Sequence, residues 1–377
     1  MLTDKRQFKF TPELWGGLEC SLNRVGDLFM DQLSYSGHYE RGEADIERFA
    51  SLGITAIRYP VIWEKHQASL HHAIDWRWTE RQLSALRRHN ITPIAGLMHH
   101  GNGPQFTDLL NDSFPLYFER YAEAVAQKFP WLTWYTPINE PLTTARFSGL
   151  YGIWHPHKKS DHDFAIILFN QMKATVQAMR AIRKINPKAK LLQTEDLSKT
   201  YSTSVLQYQA DFENGRRWLT YDILCGRLNT QHPLWNYFKW LKVPESTLHF
   251  FVDNPCPPDL IGADHYLTSE RFLDQNLKQY PEYTHGGNGE HHYADVEAIR
   301  VKHSFPCGLK LLLNECWERY HIPIAVTEVH LNGSSDDQIR WFKEVWEISR
   351  ELLQEKIPIK SVTTWSLIGA YGWNNLL

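Results

Sequence analysis

The sequence predicts a (β/α)8 barrel, the TIM-barrel fold. Eight short apolar runs rich in β-branched residues recur along the chain with helix-like segments between them, which is typical of strands and helices alternating around a parallel sheet. The 377 residues exceed the roughly 250 residues that such a barrel needs, so residues 1–377 are predicted to form a single domain. The predicted strands are Leu14–Cys20, Ile54–Val61, Thr92–His99, Thr133–Glu140, Lys190–Asp196, Asp259–Tyr266, Pro323–His330 and Ser361–Ile368.

Helices are predicted between these strands because apolar residues recur there at intervals of three and four. The segments ADIERFASLG, TERQLSALRRHN and FERYAEAVAQKF follow this spacing and end near Gly, Asn or Pro, which are common at helix ends. The fourth connection, NQMKATVQAMRAIRKINP, has Pro187 after its last turn and the fifth strand directly behind it. These segments are predicted to form the outer layer of the barrel.

The spacing of the strands locates the insertions. Successive runs start 40, 38 and 41 residues apart, then 57, 69 and 64, and finally 38. Extra segments are therefore predicted after strands 4, 5 and 6, and residues 274–304 are predicted to form a loop.

Only nine residues follow the eighth predicted strand, so the helix that would cover this strand is missing from the sequence. Two explanations remain open. The chain is a domain cut from a longer polypeptide, or an additional domain or subunit covers the apolar edge of strand 8.

Charge and composition argue against nucleic acid and membranes as partners and predict a cytoplasmic location. The net charge of -3, from 40 basic and 43 acidic residues, provides no field that would attract nucleic acid or an anionic membrane. The first ten residues are polar, no run approaches 18 apolar residues, and the five cysteines show no CxxC spacing. A reduced, unexported protein is predicted.

No cofactor and no metal are predicted. The sequence contains neither GxGxxG nor GxxxxGK[ST], the glycine-rich motifs of nucleotide sites. Histidines cluster at 71–72, 99–100, 155–157 and 285–292, but none has the HExxH spacing of a zinc enzyme.

Two glutamates end predicted strands, where catalytic side chains of such barrels lie. Glu140 stands between Asn139 and Pro141 at the end of strand 4, and Glu328 follows Thr327 in strand 7. A carboxylate buried in an apolar strand is costly unless it is paired or used. Cleavage of a glycoside with retention needs two carboxyl groups about 5–5.5 Å apart, and the strand assignment makes that distance attainable.

The order and spacing of several motifs resemble the family 1 glycoside hydrolases and, more widely, the clan A barrels with catalytic carboxylates on strands 4 and 7. The motifs are LWGGLECS, YERGEADIERFASLGITAIRYPVIW, ITPIAGLMHHGNGP, WYTPINEP, PPDLIGADHY, IPIAVTEVHLNG and TTWSLIGAYGW. The resemblance implies a retaining β-glycosidase that acts through a covalent glycosyl-enzyme intermediate.

The resemblance also implies roles for individual residues. Glu140 would be the acid/base and Glu328 the nucleophile. Asn139 would hold the 2-hydroxyl of the sugar, His99 a neighbouring hydroxyl, and Trp365 would form the floor of the glycone subsite.

Two further residues are predicted to act on the nucleophile. Arg58 and Tyr266, at the ends of strands 2 and 6, would stabilise Glu328 as an anion and so lower its pKa, whereas the negative charge of Glu328 and partial burial would raise the pKa of Glu140. A purely structural role for Arg58 is nearly as well supported. Asn23 and Trp373 complete the set of residues expected to support the substrate.

The sequence departs from the family pattern where the sugar would be held. Asn23 stands where the family has a glutamine, and Gly372 where it has a glutamate. Asp264 and His265 replace an asparagine and a tyrosine. A small or modified β-glycoside is therefore predicted as the substrate, because the outer grip on the glycone is altered.

Two other functions remain open. The first is a sugar-binding barrel without turnover, which would belong to a larger polypeptide that includes a nucleotide-sugar reductase-like domain. The second, a metal-dependent barrel hydrolase, ranks last. A small-molecule carbohydrate is the expected partner.

Overall fold

Eight parallel strands close into a barrel in the computed structural model, which describes residues 11–301 and 306–372. The described residues contain these eight strands and six others. In chain order the strands are β1 (Glu13–Gly17), β2 (Leu22–Val25), β3 (Leu28–Asp31), β4 (Ala56–Pro60), β5 (Thr92–His99), β6 (Trp134–Asn139), β7 (Lys190–Asp196), β8 (Lys199–Ser202), β9 (Leu260–Asp264), β10 (Glu270–Asp274), β11 (His285–Gly287), β12 (His292–Glu297), β13 (Ile324–Val329) and β14 (Ile359–Thr364). The barrel order is β1, β4, β5, β6, β7, β9, β13 and β14, which pairs again with β1. The predicted TIM-barrel fold is confirmed.

Helices connect the barrel strands. They are α1 (Gln32–Tyr35), α2 (His38–Ser51), α3 (Trp63–His66), α4 (Arg77–Arg88), α5 (Phe114–Lys128), α6 (Pro141–Ala145), α7 (Asp161–Ile185), α8 (Gln207–Arg216), α9 (Leu219–Leu224), α10 (Trp235–Trp240), α11 (Glu245–Asp253), α12 (Leu309–Tyr320) and α13 (Ser335–Gln354). Local capping sets the start of the two longest, since the hydroxyls of Ser160 and Ser334 accept hydrogen bonds from the amides of Asp163 and Asp337.

The predicted strands agree with the barrel strands in number and order. The third and fifth predictions coincide with β5 and β7, and the other six differ from the observed strands by one to four residues at an end. The largest error concerns Ser361–Ile368, because β14 ends at Thr364 and Ser366 takes a positive φ of 53°, which a strand does not accommodate.

The insertions after the fifth and sixth barrel strands form a second sheet in the order β11, β12, β10 and β8. Residues 274–304 were predicted to be a loop, and this prediction is wrong for β11 and β12. Phe272, Ala294 and Val296 form an apolar cluster across β10 and β12, and Arg271 donates to Asp295 at 2.7 Å. The strands are short, and their sheet is completed by β8, which is distant in sequence from β10, the strand that it pairs with, so local patterning does not reveal them.

Large apolar side chains fill the barrel below its C-terminal mouth. One buried cluster draws on six barrel strands, and side chains from so many strands can meet only inside the barrel. Its members are Trp15, Ala56, Ile94, Leu192, Leu260 and Ala325. This layer supports the polar residues at the strand ends from beneath.

The segment after β14 is fastened to the segment after β1. The side-chain amide of Gln32 donates to the carbonyl of Tyr371 at 2.6 Å, and the backbone N–H of Tyr371 donates to Gln32 Oε1 at 2.9 Å. Leu367 N donates to the carbonyl of Gly17 at 3.1 Å. This pairing, here called the Gln32–Tyr371 clasp, joins the segments that follow β1 and β14.

Across residues 11–301 and 306–372, every helix is too short or too polar to cross a membrane.

Replacement of Gly17 by alanine should destabilise the protein, because the added methyl group would overlap the buried indole of Trp365. Overpacking of this kind costs about 1–3 kcal/mol. Chemical denaturation should therefore show a lower free energy of unfolding for Gly17→Ala. Gly286→Ala is the matched control, since nothing lies within 4 Å of a methyl group there. Equal stability of Gly17→Ala and wild type would contradict the packing of Trp365 against β1.

Candidate active site

Two glutamates from non-adjacent strands meet at the C-terminal end of the barrel. Glu140 directly follows β6, and Glu328 lies near the end of β13. A third carboxylate, Asp264, ends β9, which lies between β13 and β6 in the barrel order. Oxygens of the three side chains lie within 4.8 Å of one another, and the residues are 5%, 4% and 0% exposed, respectively. We call this group the carboxylate cluster.

Arg58, on β4, is the cation that faces this cluster. Its Nη1 donates to Glu328 Oε1 at 2.8 Å and lies 3.5 Å from Asp264 Oδ1. Its Nη2 donates to Asn139 Oδ1, and the hydroxyl of Tyr266 donates to the other oxygen of Glu328. Both predicted partners therefore contact Glu328, and each of its oxygens accepts a side-chain hydrogen bond.

The backbone at Glu140 is held in an unusual conformation. Glu140 has φ 41° and ψ 62° and caps α6, a left-handed conformation that is costly for a residue with a side chain and occurs at functional sites. Glu195, at the end of β7, accepts hydrogen bonds from the backbone N–H groups of Leu142 at 2.8 Å and Thr143 at 3.2 Å. Glu195 thereby anchors the first turn of α6 and positions Glu140.

Burial raises the pKa values of all three clustered carboxyls, and the negative charge of Asp264 adds to the rise at Glu140 and Glu328. The pKa of Glu140 lies well above its ordinary value because of burial, then the charges of Asp264 and Glu328. The pKa of Glu328 is also raised well above its ordinary value, since burial and Asp264 outweigh Arg58. Burial raises the pKa of Asp264 to about 6. The lowered pKa predicted for Glu328 is therefore not found, and the acid at position 264 is part of the reason.

The residues expected to hold sugar hydroxyls surround the carboxylate cluster. Asn139 Oδ1 accepts from Thr194 at 2.7 Å, and Asn139 Nδ2 lies 3.3 Å from His99 Nε2. Burial lowers the pKa of His99 well below its ordinary value, so this imidazole is neutral. Trp365 stacks on His99 with ring centroids 5.4 Å apart, and the guanidinium of Arg58 lies 4.3 Å from the indole centroid.

Asn23 and Trp373 are the two remaining predicted residues, and only Asn23 lies among the described residues. Asn23 is 1% exposed, its Oδ1 accepts from the backbone N–H of Arg24 at 2.7 Å, and its Nδ2 has no partner among the described residues. Trp373 lies outside the described residues.

Two buried acids at the site were missed by sequence reasoning. Glu19 accepts hydrogen bonds from the hydroxyl of Ser21 at 2.6 Å and from Trp365 Nε1 at 3.3 Å, and burial raises its pKa. Glu195, which anchors α6, is the second of these acids. Both lie at or just after the C-terminal ends of barrel strands, where a polar residue in an apolar run is the signal that identified Glu140.

The space among these side chains is small. A pocket of about 10 Å³ is lined by residues that include Cys20, Arg58, His99, Asn139 and Trp365, which is room for about one water molecule. This pocket alone has no room for a sugar ring.

The three clustered carboxylates are also close enough to share a metal ion. Arg58 Nη1, however, already lies 2.8 Å from Glu328 and 3.5 Å from Asp264. A divalent cation at this point would be repelled by the guanidinium, so the charge of the cluster is balanced by a side chain of the barrel.

Comparisons with known proteins agree with this architecture. The family model "Glycosyl hydrolase family 1" matches residues 34–376. A "Phospho-cellobiase" of Klebsiella oxytoca is 22% identical, over 88% of this chain and 75% of that protein. A "6-phospho-beta-glucosidase" of Clostridium longisporum is also 22% identical, over 88% and 76%.

Solved structures show the same fold. The "Family 1 b-glucosidase from Thermotoga maritima" superposes with a TM-score of 0.71 at 17% identity and covers 89% of this chain and 80% of its own. The "AHE enzyme from Alicyclobacillus herbarius" superposes with a TM-score of 0.73 at 18% identity, over 88% and 78%. The chain therefore belongs to glycosyl hydrolase family 1, a family of retaining β-glycosidases.

Proposed function

We propose that this barrel hydrolyses a β-glycoside with retention, with Glu328 as the nucleophile and Glu140 as the acid/base. The observation that carries the proposal is the approach of the Glu140 and Glu328 oxygens to within 4.8 Å. Retaining glycosidases hold their two carboxyl groups about 5–5.5 Å apart, whereas inverting enzymes need about 6.5–9.5 Å to admit a water molecule between them.

The reaction has two steps. Glu328 attacks the anomeric carbon and forms a covalent glycosyl-enzyme, while the departing aglycone oxygen takes the proton of Glu140. Glu140 then removes a proton from water, and the resulting hydroxide attacks the anomeric carbon and releases the Glu328 carboxylate. The net change is addition of one water molecule across the glycosidic bond.

The hydrogen bonds support this division of roles. Glu328 accepts from Arg58 on one oxygen and from Tyr266 on the other, so its anionic form is the better stabilised of the two glutamates. Glu140 has the neutral ring of His100 at 3.5 Å and the negative charges of Asp264 and Glu328 nearby. Glu140 therefore retains its proton to higher pH, as a general acid must.

The charge around the site favours an uncharged glycone. Glu19 lies beside Trp365 and the carboxylate cluster beside Arg58, and Arg58 is already paired with Glu328. A phosphorylated glycone would meet these acids at short range. The names of the curated relatives favour a second candidate, a glycoside that carries a phosphate on the sugar, so both kinds of glycone belong in the same assay.

A cytoplasmic location and a small-molecule carbohydrate partner are part of the proposal. Cys20, Cys225, Cys256 and Cys316 are free thiols, which supports a reducing compartment.

Glu328→Ala should abolish release of chromophore from the preferred aryl β-glycoside, with a loss of more than about 10⁴-fold in kcat, because no covalent intermediate can form. Glu140→Ala should cost about 10²–10⁴-fold. Azide should restore part of the activity of either variant, and the anomeric configuration of the glycosyl azide, read by NMR, assigns the roles. An α-azide from Glu328→Ala and a β-azide from Glu140→Ala are expected.

Glu344→Ala, a change at an exposed helix residue, is the matched control and should leave turnover unchanged. The panel should include aryl β-glycosides of several hexoses and their 6-phosphates. Full activity of folded Glu328→Ala would refute the proposal. If folded wild type releases no chromophore from any glycoside of the panel yet binds sugars, the barrel is a sugar-binding domain of a larger polypeptide instead.

Asp264→Asn should shift the bell-shaped pH profile of kcat/KM to lower pH by about one unit. Loss of a negative charge beside both glutamates favours their ionised forms, so both pKa values fall. The alkaline limb, where Glu140 loses its proton, and the acid limb, where Glu328 gains one, therefore move in the same direction. The measurement is kcat/KM across the pH range on one aryl glycoside.

Asp336→Asn, at an exposed position of α13, should keep the wild-type profile. A profile of Asp264→Asn that superposes on wild type would mean that Asp264 carries no charge in the working enzyme.

A further inference from the structure

A second, larger cleft opens beside the catalytic pocket. Its volume is about 750 Å³, within the range of about 300–1,000 Å³ found for ligand sites, whereas the pocket beside Arg58, Asn139 and Trp365 measures about 10 Å³. Its walls come from the β2–β3 hairpin, the segment 64–68 after β4, the loop 102–107 after β5 and His155 in the connection after β6. Neither the roles of Glu140 and Glu328 nor the fold accounts for it.

The cleft lies close to this small pocket in the chain. The pocket is lined by residues of β4, β5 and β6 together with Cys20 after β1 and Trp365 after β14, and the cleft by segments that follow β1, β4, β5 and β6. Leu22 of the cleft is two residues from Cys20 of the pocket, and Asn102 is three from His99. At a maximum of about 3.5 Å per residue, these walls are separated by about 7–10 Å or less, a span that one further sugar residue can cover.

One wall of the cleft is the β2–β3 hairpin. Leu22, Arg24 and Phe29 line the cleft, while the intervening Asn23 is buried, as alternation along a strand requires. Asn23 is also the position where the shorter side chain replaces the family glutamine. The hairpin thus brings the cleft next to the position whose family counterpart grips the outer hydroxyls of the glycone.

Two buried acceptors in the cleft lack partners. Glu64 Oε1 accepts from the backbone N–H of Gly103 at 2.9 Å, but Glu64 Oε2 has no partner among the described residues, and neither has Asn102 Oδ1. A buried acceptor without a partner costs about 1–3 kcal/mol. Both side chains line the cleft, so a rotation that exposes either acceptor would let a ligand with hydroxyl donors recover this free energy.

The other lining groups point to a neutral ligand. Lys65 Nζ is bonded to Asp31 at 3.1 Å and Arg24 Nε to the carbonyl of Gly26 at 3.1 Å, so both cations are already engaged. Burial raises the pKa of Glu64 to about 7, so near neutral pH this group is partly uncharged. The ring of Phe29, which is half exposed, offers an apolar surface for the C–H face of a sugar.

We propose that this cleft is a second carbohydrate subsite, which binds one further neutral sugar residue attached to the far end of the glycone. Glu64 Oε2 and Asn102 Oδ1 accept hydrogen bonds from its hydroxyls, and Phe29 packs against its ring. The proposal rests on the proposed glycosidase function. It makes the enzyme one that removes a disaccharide as a unit, rather than a single terminal sugar.

The test compares aryl β-glucoside with the aryl β-glycosides of cellobiose, laminaribiose and gentiobiose. Wild type should release an intact disaccharide, identified by mass, from at least one of them, with kcat/KM above that for the aryl monosaccharide. Glu64→Ala and Asn102→Ala should each lower the disaccharide-to-monosaccharide ratio of kcat/KM by about tenfold. Glu47→Ala, at an exposed residue of α2, should keep the wild-type ratio.

Glu64→Gln tests the same contact without removing the bond to Gly103. It retains Oε1 as the acceptor for Gly103 and replaces the acceptor Oε2 with a donor. It should lower the same ratio. Release of monosaccharide alone would overturn the inference and leave the glycosidase function intact. A preference for the 6-phosphate that Arg24→Ala removes would also overturn it, since the cleft would then be an anion site.

Binding separates this inference from the proposed function. Calorimetric titration of Glu328→Ala with unlabelled disaccharides needs no turnover. Binding that Glu64→Ala weakens in this background supports the subsite even if wild type hydrolyses nothing. Absence of binding in the Glu328→Ala protein, with aryl monosaccharides still cleaved by wild type, refutes the subsite alone.

Discussion

A single buried guanidinium makes this active site possible. Arg58 bonds to Glu328, approaches Asp264 and bonds to Asn139, and these residues belong to β13, β9 and β6. Burial of one ionised carboxylate is costly without a partner, and the mouth of this barrel buries three within 4.8 Å. The cluster exists only where β4 brings Arg58 opposite these three strands, so the chemistry depends on the closed barrel.

Much of the fold and part of the site could be read from local patterns. Strand number and order follow from apolar runs, and Glu140 and Glu328 stand out because each is a carboxylate in such a run. Asp264 was visible as a substitution, but its closeness to both glutamates depends on how β9, β13 and β6 are arranged in space. Glu195 was missed for the same reason, since its role is to hold amides 52 and 53 residues away in the chain.

The strand ends and the connections after the strands contribute different parts of the site. Glu140, Glu328, Tyr266 and Asn139 sit at or beside strand ends, where the barrel fixes them. The β2–β3 hairpin and the sheet formed by β8, β10, β11 and β12 belong instead to the connections after the barrel strands. Such connections can change in sequence without moving the residues at the strand ends.

The Gln32–Tyr371 clasp has a consequence for folding. Its two residues are 339 positions apart, and it lies next to the junction at which β14 pairs with β1. Contacts between such distant segments require closure of a long loop before they contribute stability, which makes them late events. Arg58 can meet Glu328 only after a similarly distant pairing, across 270 positions. A nascent or partly unfolded chain therefore lacks an assembled site, and activity is restricted to the fully closed barrel.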